Sequence, residues 1–504
     1  MDYSQFLAMK QEIGLLIVFL LVFLYDTFMP KKALNATAGF TCVVFAIYTL
    51  VSFCCLSACD TVSAFSGMYT TGPVMSTIKN ILNVGVLIVL IQATQWTNSE
   101  FQIMRRGEFY ELLLLTLFGM YLMISARHFL LFVIGLESAS LPLAAMVAFD
   151  KHHYESHEAA IKYILTAVFS SAVFMMGLSF VYGLTGSLYF VDIYAGIGAE
   201  HSVMLIMAVA FVISGVGFKL SLVPFHLWTA DVYQGAPTSV TSYLSVISKG
   251  AAAFAFLVIL VQAFGLAYSQ VWEWMLYALI ILTITVGNLF AIRQRNMKRF
   301  LAFSSVSQAG YIMLGVIAFN TTGLASMMYY ILVYIFSNLA SMMYYILVYI
   351  FSNLAAFGVI AAIENATGKV NMDDYNGLHK TNPKLSFAMM LAMFSLAGIP
   401  PFAGFFSKFF IFTGAIQQGS TAIYVLVLIA LINTIISLYY YLLVVKAMFI
   451  NTENECVIPT FRSSCSERLG LWITVAGIIL LGIVSFFYNS ILSMTTSGGI
   501  MIDL

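Results

Sequence analysis

Long uncharged apolar runs alternate with short polar stretches along the whole chain. Each run has about the 20 residues that a helix needs to cross ~30 Å of hydrocarbon. The runs fall at 12–28, 34–56, 78–95, 110–125, 128–149, 158–183, 202–231, 237–264, 272–292, 299–319, 323–363, 385–418, 421–448 and 469–493. They predict an all-α, polytopic membrane protein of fourteen transmembrane helices.

Lysine and arginine concentrate on the inner side of a membrane protein, which tests the count. With the N-terminus outside, sixteen basic residues fall in inner loops: Lys31, Lys32, Arg105, Arg106, Lys151, Lys162, Arg293, Arg295, Lys298, Arg299, Lys369, Lys380, Lys384, Lys446, Arg462 and Arg468. Only Lys10, Lys79 and Arg127 fall in outer ones. The bias predicts an inner-membrane protein with both termini periplasmic.

One run is too long. Residues 326–340 and 341–355 are the same fifteen letters, SMMYYILVYIFSNLA, in tandem. The stretch of about 40 residues would make ~60 Å of helix, twice the hydrocarbon core. An added crossing would invert every later loop and erase the charge bias. One span that overhangs, bulges or kinks is therefore expected. A fifteen-residue insert also turns the downstream helix face by roughly 60°. A slip in the gene or a sequence error explains the repeat better than a functional duplication.

Composition narrows the class further. Of 504 residues, 61% are hydrophobic and 9% charged, and mean hydropathy is +0.95. A soluble surface needs about 25% charged residues. Twenty-two basic and 22 acidic residues cancel, so nothing points to nucleic acid. The cysteines are Cys42, Cys54, Cys55, Cys59, Cys456 and Cys465, with no CxxC pair for a metal, cluster or haem. A disulfide within Cys54–Cys59 is the weaker reading beside apolar thiols in a helix. Lys10 before an apolar run suggests a signal peptide. No small-residue cleavage site follows, and Asp26, Pro30, Lys31 and Lys32 read as a loop after a retained span.

Against this background, four charges lie deep in spans: Glu137, Lys219, Lys249 and Lys408. A charge at a helix centre costs roughly 2.5–3.5 kcal/mol even on lenient scales, so such groups face a bundle interior or water and seek partners. Structural ion pairs and snorkelling lysines are the bland alternatives, but Glu137 and Lys249 are too central to snorkel. Lys219 lies in SGVGFKLSLVPFHLW and Lys408 in SLAGIPPFAGFFSKFF. Pro224, Pro400 and Pro401 remove backbone donors there and predict two broken helices. Gly- and Pro-interrupted spans in corresponding halves of a chain mark ion sites at the membrane midplane. Burial and a nearby carboxylate act on a lysine in opposite directions, so moving the carboxylate's influence can load or unload it. Glu137 is the deep carboxylate for that role, with Lys219 its natural partner.

Other candidates carry less. His226 follows Pro224 and is either a relay imidazole or a hydrogen-bonded structural histidine. Asp231 ends the same segment and reads as a local cap or pair. KHHYESH at 151–157 reads as a solvated inner loop rather than a metal site. Gly215-x-Gly217 lacks the third glycine of a dinucleotide fingerprint. Tyrosine and phenylalanine read as lipid-facing and belt residues. A passive scaffold would leave the four deep charges unexplained.

Three segments carry a family resemblance: PFHLWTADVYQGAPTSVTSYLSVISKG, KRFLAFSSVSQAGYIMLG and AGIPPFAGFFSKFFIF. They resemble the antiporter-like subunits of respiratory complex I. The family also includes subunits of multisubunit Na⁺/H⁺ antiporters and membrane-bound hydrogenases. DVYQGAP, SSVSQAGYIMLG and the lysine of the last broken helix look most like the N-subunit branch of NADH:quinone oxidoreductase. The resemblance covers residues ~105–450. It implies two inverted five-helix repeats, spans 4–8 (105–270) and 9–13 (271–450), each with a broken helix. Three spans precede them (1–104), and a loop and last span follow (451–504). It further implies a proton relay in which Glu137 modulates Lys219, Lys249 is central, and Lys408 faces the outer exit. On this reading the subunit binds no cofactor and no metal. Its partners are the lipid bilayer and the other membrane subunits, while quinone and NADH bind elsewhere in the complex. Ala230 stands where the family usually has proline before DVY, and the duplication enlarges the span beside the second broken helix.

Overall fold

The computed structural model describes residues 3–28, 36–54, 61–99, 105–197, 203–265, 271–317, 328–417, 419–451, 457–483 and 486–497. Lys31, Lys32, Cys55, Cys59 and Cys456 lie outside them, and so do the side chains of most of the first fifteen-residue copy.

Fourteen crossings follow the predicted order. Spans 1–6 are Lys10–Phe28, Thr37–Cys54, Pro73–Thr97, Arg106–Ser125, Phe129–Val147 and Tyr154–Thr185. Span 7 is Val203–Leu220 continued by Leu227–Gly235, and span 8 is Thr238–Gln262. Spans 9–11 are Glu273–Ile292, Met297–Ile317 and Met328–Thr367. Span 12 is a pair of half-helices, Pro383–Ala397 and Ala403–Ile416; spans 13 and 14 are Thr421–Phe449 and Cys465–Ile483. Among the described residues, 13 helices are long and apolar enough to cross a membrane; the half-helices of span 12 supply the fourteenth crossing.

The breaks sit where proline and glycine demand them. Span 7 stops at Leu220 and resumes at Leu227, with Pro224 between and Ser221 at φ 60°. Span 12 stops at Ala397 and turns through Gly398 at φ +88° before Pro400 and Pro401. That left-handed conformation suits glycine at a helix end. A Cβ at Gly398 would also meet Lys408 Cδ at 3.2 Å.

Hydrophobic burial does not drive helices together in lipid, so close backbone approach and polar contacts must hold the bundle. Spans 4 and 5 show the first: a Cβ at Gly119 would come within 2.7 Å of Gly135 O, and one at Gly135 within 2.8 Å of Gly119 O. Spans 3, 8, 10 and 11 form the buried column, span 8 being wholly enclosed. Spans 1, 2, 6 and 13 turn most of their surface outward.

Span 11 is one unbroken helix of 40 residues through the duplication. The second copy is built into the bundle: Tyr344 donates to Leu481 O at 2.7 Å, and Asn353 to Ser245 Oγ at 2.9 Å. The added length lies at the N-terminal end of this helix, which runs on without a break.

The structure corrects one assignment. Lys79 is no outer-loop residue. Span 3 begins at Pro73, a residue suited to the first helical position. Lys79 is therefore in its second turn, fully buried, with Nζ 2.6 Å from Glu12 Oε1 of span 1. A short hairpin, β1 (Val62–Ala64) and β2 (Tyr69–Thr71), covers this pair from the outer side. Its Tyr69 hydroxyl donates to Glu12 Oε2 at 2.9 Å.

Candidate functional site

Lys219, Lys249 and Lys408 are buried, and among the described residues none of the three has a carboxylate within ion-pair distance. Their partners are hydroxyls, carbonyls and aromatic faces.

Lys219 occupies the last turn of the first half of span 7. Its Nζ donates to Ser140 Oγ of span 5 at 2.7 Å and to the Tyr163 hydroxyl of span 6 at 3.3 Å. Glu137 is not within ion-pair distance of Lys219. It is half-buried on span 5, one turn before Ser140, and its charge acts on Lys219 through space. Leu130, Ile134 and Leu141 lie on the same helical stripe and are about half exposed.

Lys249 follows a π-helical turn, Leu244–Ser248, inside span 8. Such turns displace side chains from regular α register and recur at functional sites. Lys249 Nζ donates to Ser305 Oγ of span 10 at 2.5 Å and lies 5.7 Å from the Tyr233 ring centroid.

Lys408 lies in the second half of span 12 and reaches back across the break. It donates to the carbonyls of Leu396 at 2.9 Å and Ala397 at 3.2 Å, the last residues of the first half-helix. A helix C-terminus is a favourable place for a cation. The Tyr311 ring of span 10 faces the ammonium at 5.2 Å.

Polar side chains occupy the ground between these lysines. Asn353 donates to Ser245 Oγ and to the Tyr349 hydroxyl, both at 2.9 Å. Gln308 donates to the Tyr441 hydroxyl at 3.1 Å and accepts from Tyr345. Gln308, Tyr345, Tyr349 and Lys408 line one small cavity. The structure therefore brings Lys249 and Lys408 to a common polar seam along spans 8, 10, 11 and 12. Lys219 stands on the side of spans 5 and 6, with Glu137 outermost.

His226 is buried within the break of span 7, and neither ring nitrogen has a hydrogen-bond partner among the described residues. Its ring stacks on Phe290 with centroids 6.4 Å apart. Asp231 pairs locally as expected, with Lys162 and Arg299 each at 2.7 Å, tying spans 6, 7 and 10 together at the inner side. In the KHHYESH loop, exposed His153 contacts Asp150 at 2.8 Å, and no metal-competent group of side chains occurs among the described residues.

The hydroxyl, amide and ring partners were missed in the sequence. The SSVSQ run in span 10 was the available signal, since consecutive polar residues in a membrane helix require buried partners. Glu12 and Lys79 were also missed, and Pro73 was the clue that would have placed Lys79 inside a span.

The family of membrane proteins described as NADH:quinone oxidoreductase/Mrp antiporter matches at residues 126–341 and 336–437, the two matches meeting in the duplicated stretch. NADH-quinone oxidoreductase subunit N of Phocaeicola vulgatus is 52% identical over 97% of this chain and 98% of its own length. A chain of respiratory complex I from Thermus thermophilus superposes with a TM-score of 0.77 at 28% identity, over 97% of this chain and 100% of that one. A chain of the Mrp complex from a Dietzia species shares the fold, with a TM-score of 0.81 at 19% identity, over 99% of this chain and 97% of that one. Full-length identity, the matched profile and the pair of broken spans agree: this chain belongs to the NADH:quinone oxidoreductase/Mrp antiporter family of membrane subunits, among the relatives designated subunit N.

Proposed function

We propose that this chain is a non-redox, proton-translocating membrane subunit of an NADH:quinone oxidoreductase. Protons move along Glu137, Lys219, Lys249 and Lys408, with His226 beside the first break. Quinone and NADH bind to other subunits, whose chemistry drives the movement, and no cofactor belongs to this one. Its partners are the other membrane subunits of the complex. Both termini face the periplasm, and the repeats run over spans 4–8 and 9–13.

One observation carries the reading: none of the three buried lysines of the broken and central spans has a counter-charge at ion-pair distance among the described residues, and two of them, Lys219 and Lys249, face hydroxyls. A lysine locked in an ion pair is a structural element. A lysine held by a hydroxyl can release its proton to a neighbour and take another, because the hydroxyl both donates and accepts. Ser140 and Tyr163 serve Lys219 in this way, and Ser305 serves Lys249. Glu137, one helical turn from Ser140, then sets the state of Lys219 through space. The Na⁺/H⁺ antiporter reading has the fold in its favour, while full-length identity to subunit N relatives favours the oxidoreductase.

Lys219→Arg is the decisive test, because arginine keeps the charge and does not release its proton. In vesicles bearing the complex, proton translocation should be lost while electron transfer from NADH to an artificial acceptor continues. Normal pumping by this variant would end the relay role of Lys219.

A further inference from the structure

Span 11 carries a tyrosine and an asparagine one helical turn apart, Tyr349 and Asn353, both buried. Neither belongs to the relay of charged residues. Asn353 Nδ2 donates to Ser245 Oγ of span 8 and to the Tyr349 hydroxyl, both at 2.9 Å. Counting protons fixes the direction of both bonds. The Ser245 hydroxyl has one proton, and it goes to the carbonyl of Ser242 at 2.8 Å. Ser245 can therefore only accept from Asn353, so the NH₂ side of the amide faces both oxygens. The Tyr349 oxygen accepts from Asn353 in turn, and its own proton is directed elsewhere.

That proton has an acceptor nearby. The Tyr349 hydroxyl also faces Ser305 of span 10. Ser305 is the residue whose Oγ receives Lys249 Nζ at 2.5 Å. A hydroxyl oxygen has two lone pairs, so Ser305 can accept from Lys249 and from Tyr349 together. Tyr349 also lines the small cavity that it shares with Gln308, Tyr345 and Lys408. At about 10 Å³ this cavity has room for one water, with polar side chains among its lining.

We propose that Tyr349, oriented by Asn353, exchanges protons with Lys249 through Ser305 and so joins Lys249 to the cavity beside Lys408. The proposal rests on the relay reading and adds a named carrier to it. When Lys249 is neutral, its lone pair takes the Ser305 proton, and Ser305 takes the proton of Tyr349. A water of the cavity refills the Tyr349 oxygen as that proton leaves, and Lys408, lining the same cavity, returns a proton to the water. One proton has then passed from Lys408 to Lys249, and no group between them is left charged. The same steps in reverse carry it back. Asn353 is a positioning residue: its amide holds the tyrosine oxygen and carries no proton itself.

The test uses the assembled complex in membrane vesicles, with proton translocation as the readout and electron transfer from NADH to an artificial acceptor as the control. Tyr349→Phe keeps the ring and removes the carrier. Translocation should fall about a hundredfold, the lower end of what a positioned proton-transfer group supplies. Asn353→Leu keeps the bulk and removes the orienting donor, and should cost about three- to twentyfold. A ring-fluorinated tyrosine in place of Tyr349 separates carriage from packing, because it keeps the hydroxyl and makes it more acidic. The titratable neighbours of that hydroxyl are Tyr233 of span 7, Tyr345 of span 11 and Tyr441 of span 13, with Lys249 beyond Ser305. None of them is altered, so the pH profile of translocation should move to lower pH if Tyr349 carries the proton and stay fixed if it only packs. Should Tyr349→Phe not assemble, the fluorinated protein decides. Normal translocation by Tyr349→Phe or Asn353→Leu, or an unmoved profile in the fluorinated protein, would overturn the proposal and leave the lysine relay standing. Normal pumping by Lys219→Arg would end the relay role of Lys219 and leave the readings at Tyr349 unchanged.

Discussion

The two broken spans use one device in opposite senses. In span 7 the lysine lies before the break, and Lys219 points away from its own helix to the hydroxyls of Ser140 and Tyr163. In span 12 the lysine lies after the break, and Lys408 turns back onto its own helix, to the carbonyls of Leu396 and Ala397. The difference matters chemically. A hydroxyl can pass a proton on, whereas a carbonyl can only hold a cation. The first break connects its lysine to other helices and to Glu137; the second clamps its lysine to the broken backbone.

The largest effect expected from breaking this comparison is at the lysines themselves. Lys219→Arg and Lys408→Arg should each abolish proton translocation in vesicles, with electron transfer to an artificial acceptor retained. If Lys408→Arg alone pumped normally, the second break would be a clamp and no relay.

Next in size are the partners. Ser140→Ala removes the shorter hydrogen bond of Lys219, and inter-helix bonds in membranes are worth about 0.6 to 1.7 kcal/mol, or roughly three- to twentyfold. Coupled turnover should fall within that range, and Tyr163→Phe, at the longer distance, should cost less. No side-chain deletion can do the same to Lys408, because backbone carbonyls hold it. Gly398→Ala is the nearest equivalent: it places a Cβ 3.2 Å from Lys408 Cδ at a left-handed position. A penalty of about 1–2 kcal/mol is expected there, seen as a lower unfolding temperature of the complex together with slower pumping.

A topological prediction comes next. Tyr375 is fully buried, so Asp373, 69% exposed on its side chain, is the better probe of the loop after span 11. Asp373→Cys should react with an impermeant thiol reagent only from the inner side, and reaction from the periplasm would refute the orientation. The smallest expected effect is that of the duplication. The two copies are identical, so deleting 341–355 or 326–340 gives the same chain. One copy then fills the span with the contacts of Tyr344, Tyr345, Ser352 and Asn353, and assembly and pumping should be unchanged. Loss of assembly would make the added length a required element.

The contrast also shows where sequence reading succeeds. The breaks were legible because proline removes a donor wherever it stands, and Lys219 and Lys408 were legible because charge is rare in a membrane helix. Glu137 was legible as a deep carboxylate, whereas the hydroxyl partners of Lys219 were not. Helical position puts Ser140 on the face toward Lys219 and Glu137 near the half-exposed stripe of Leu130, Ile134 and Leu141. Lys79 failed for a different reason. Counting apolar letters set the start of span 3 at 78, whereas the helix begins at Pro73 and carries its lysine inward.

The sequence by itself determined the number of crossings, their order, the places where two helices break and the charges that remain inside. Each of these depends on local composition: hydrocarbon accepts only about 20 apolar residues in a helix, proline has no donor, and charge is costly to bury. Only the tertiary structure decided the partners. Lys249 meets Ser305 of another span, Lys79 meets Glu12 across 67 positions, and Lys298, Glu364 and Thr238 converge from three helices. A helix of known length still has every rotation about its axis open to it. The close approach of glycine faces and the pairing of buried polar groups fix that rotation, and both need a neighbour that no single stretch of sequence contains.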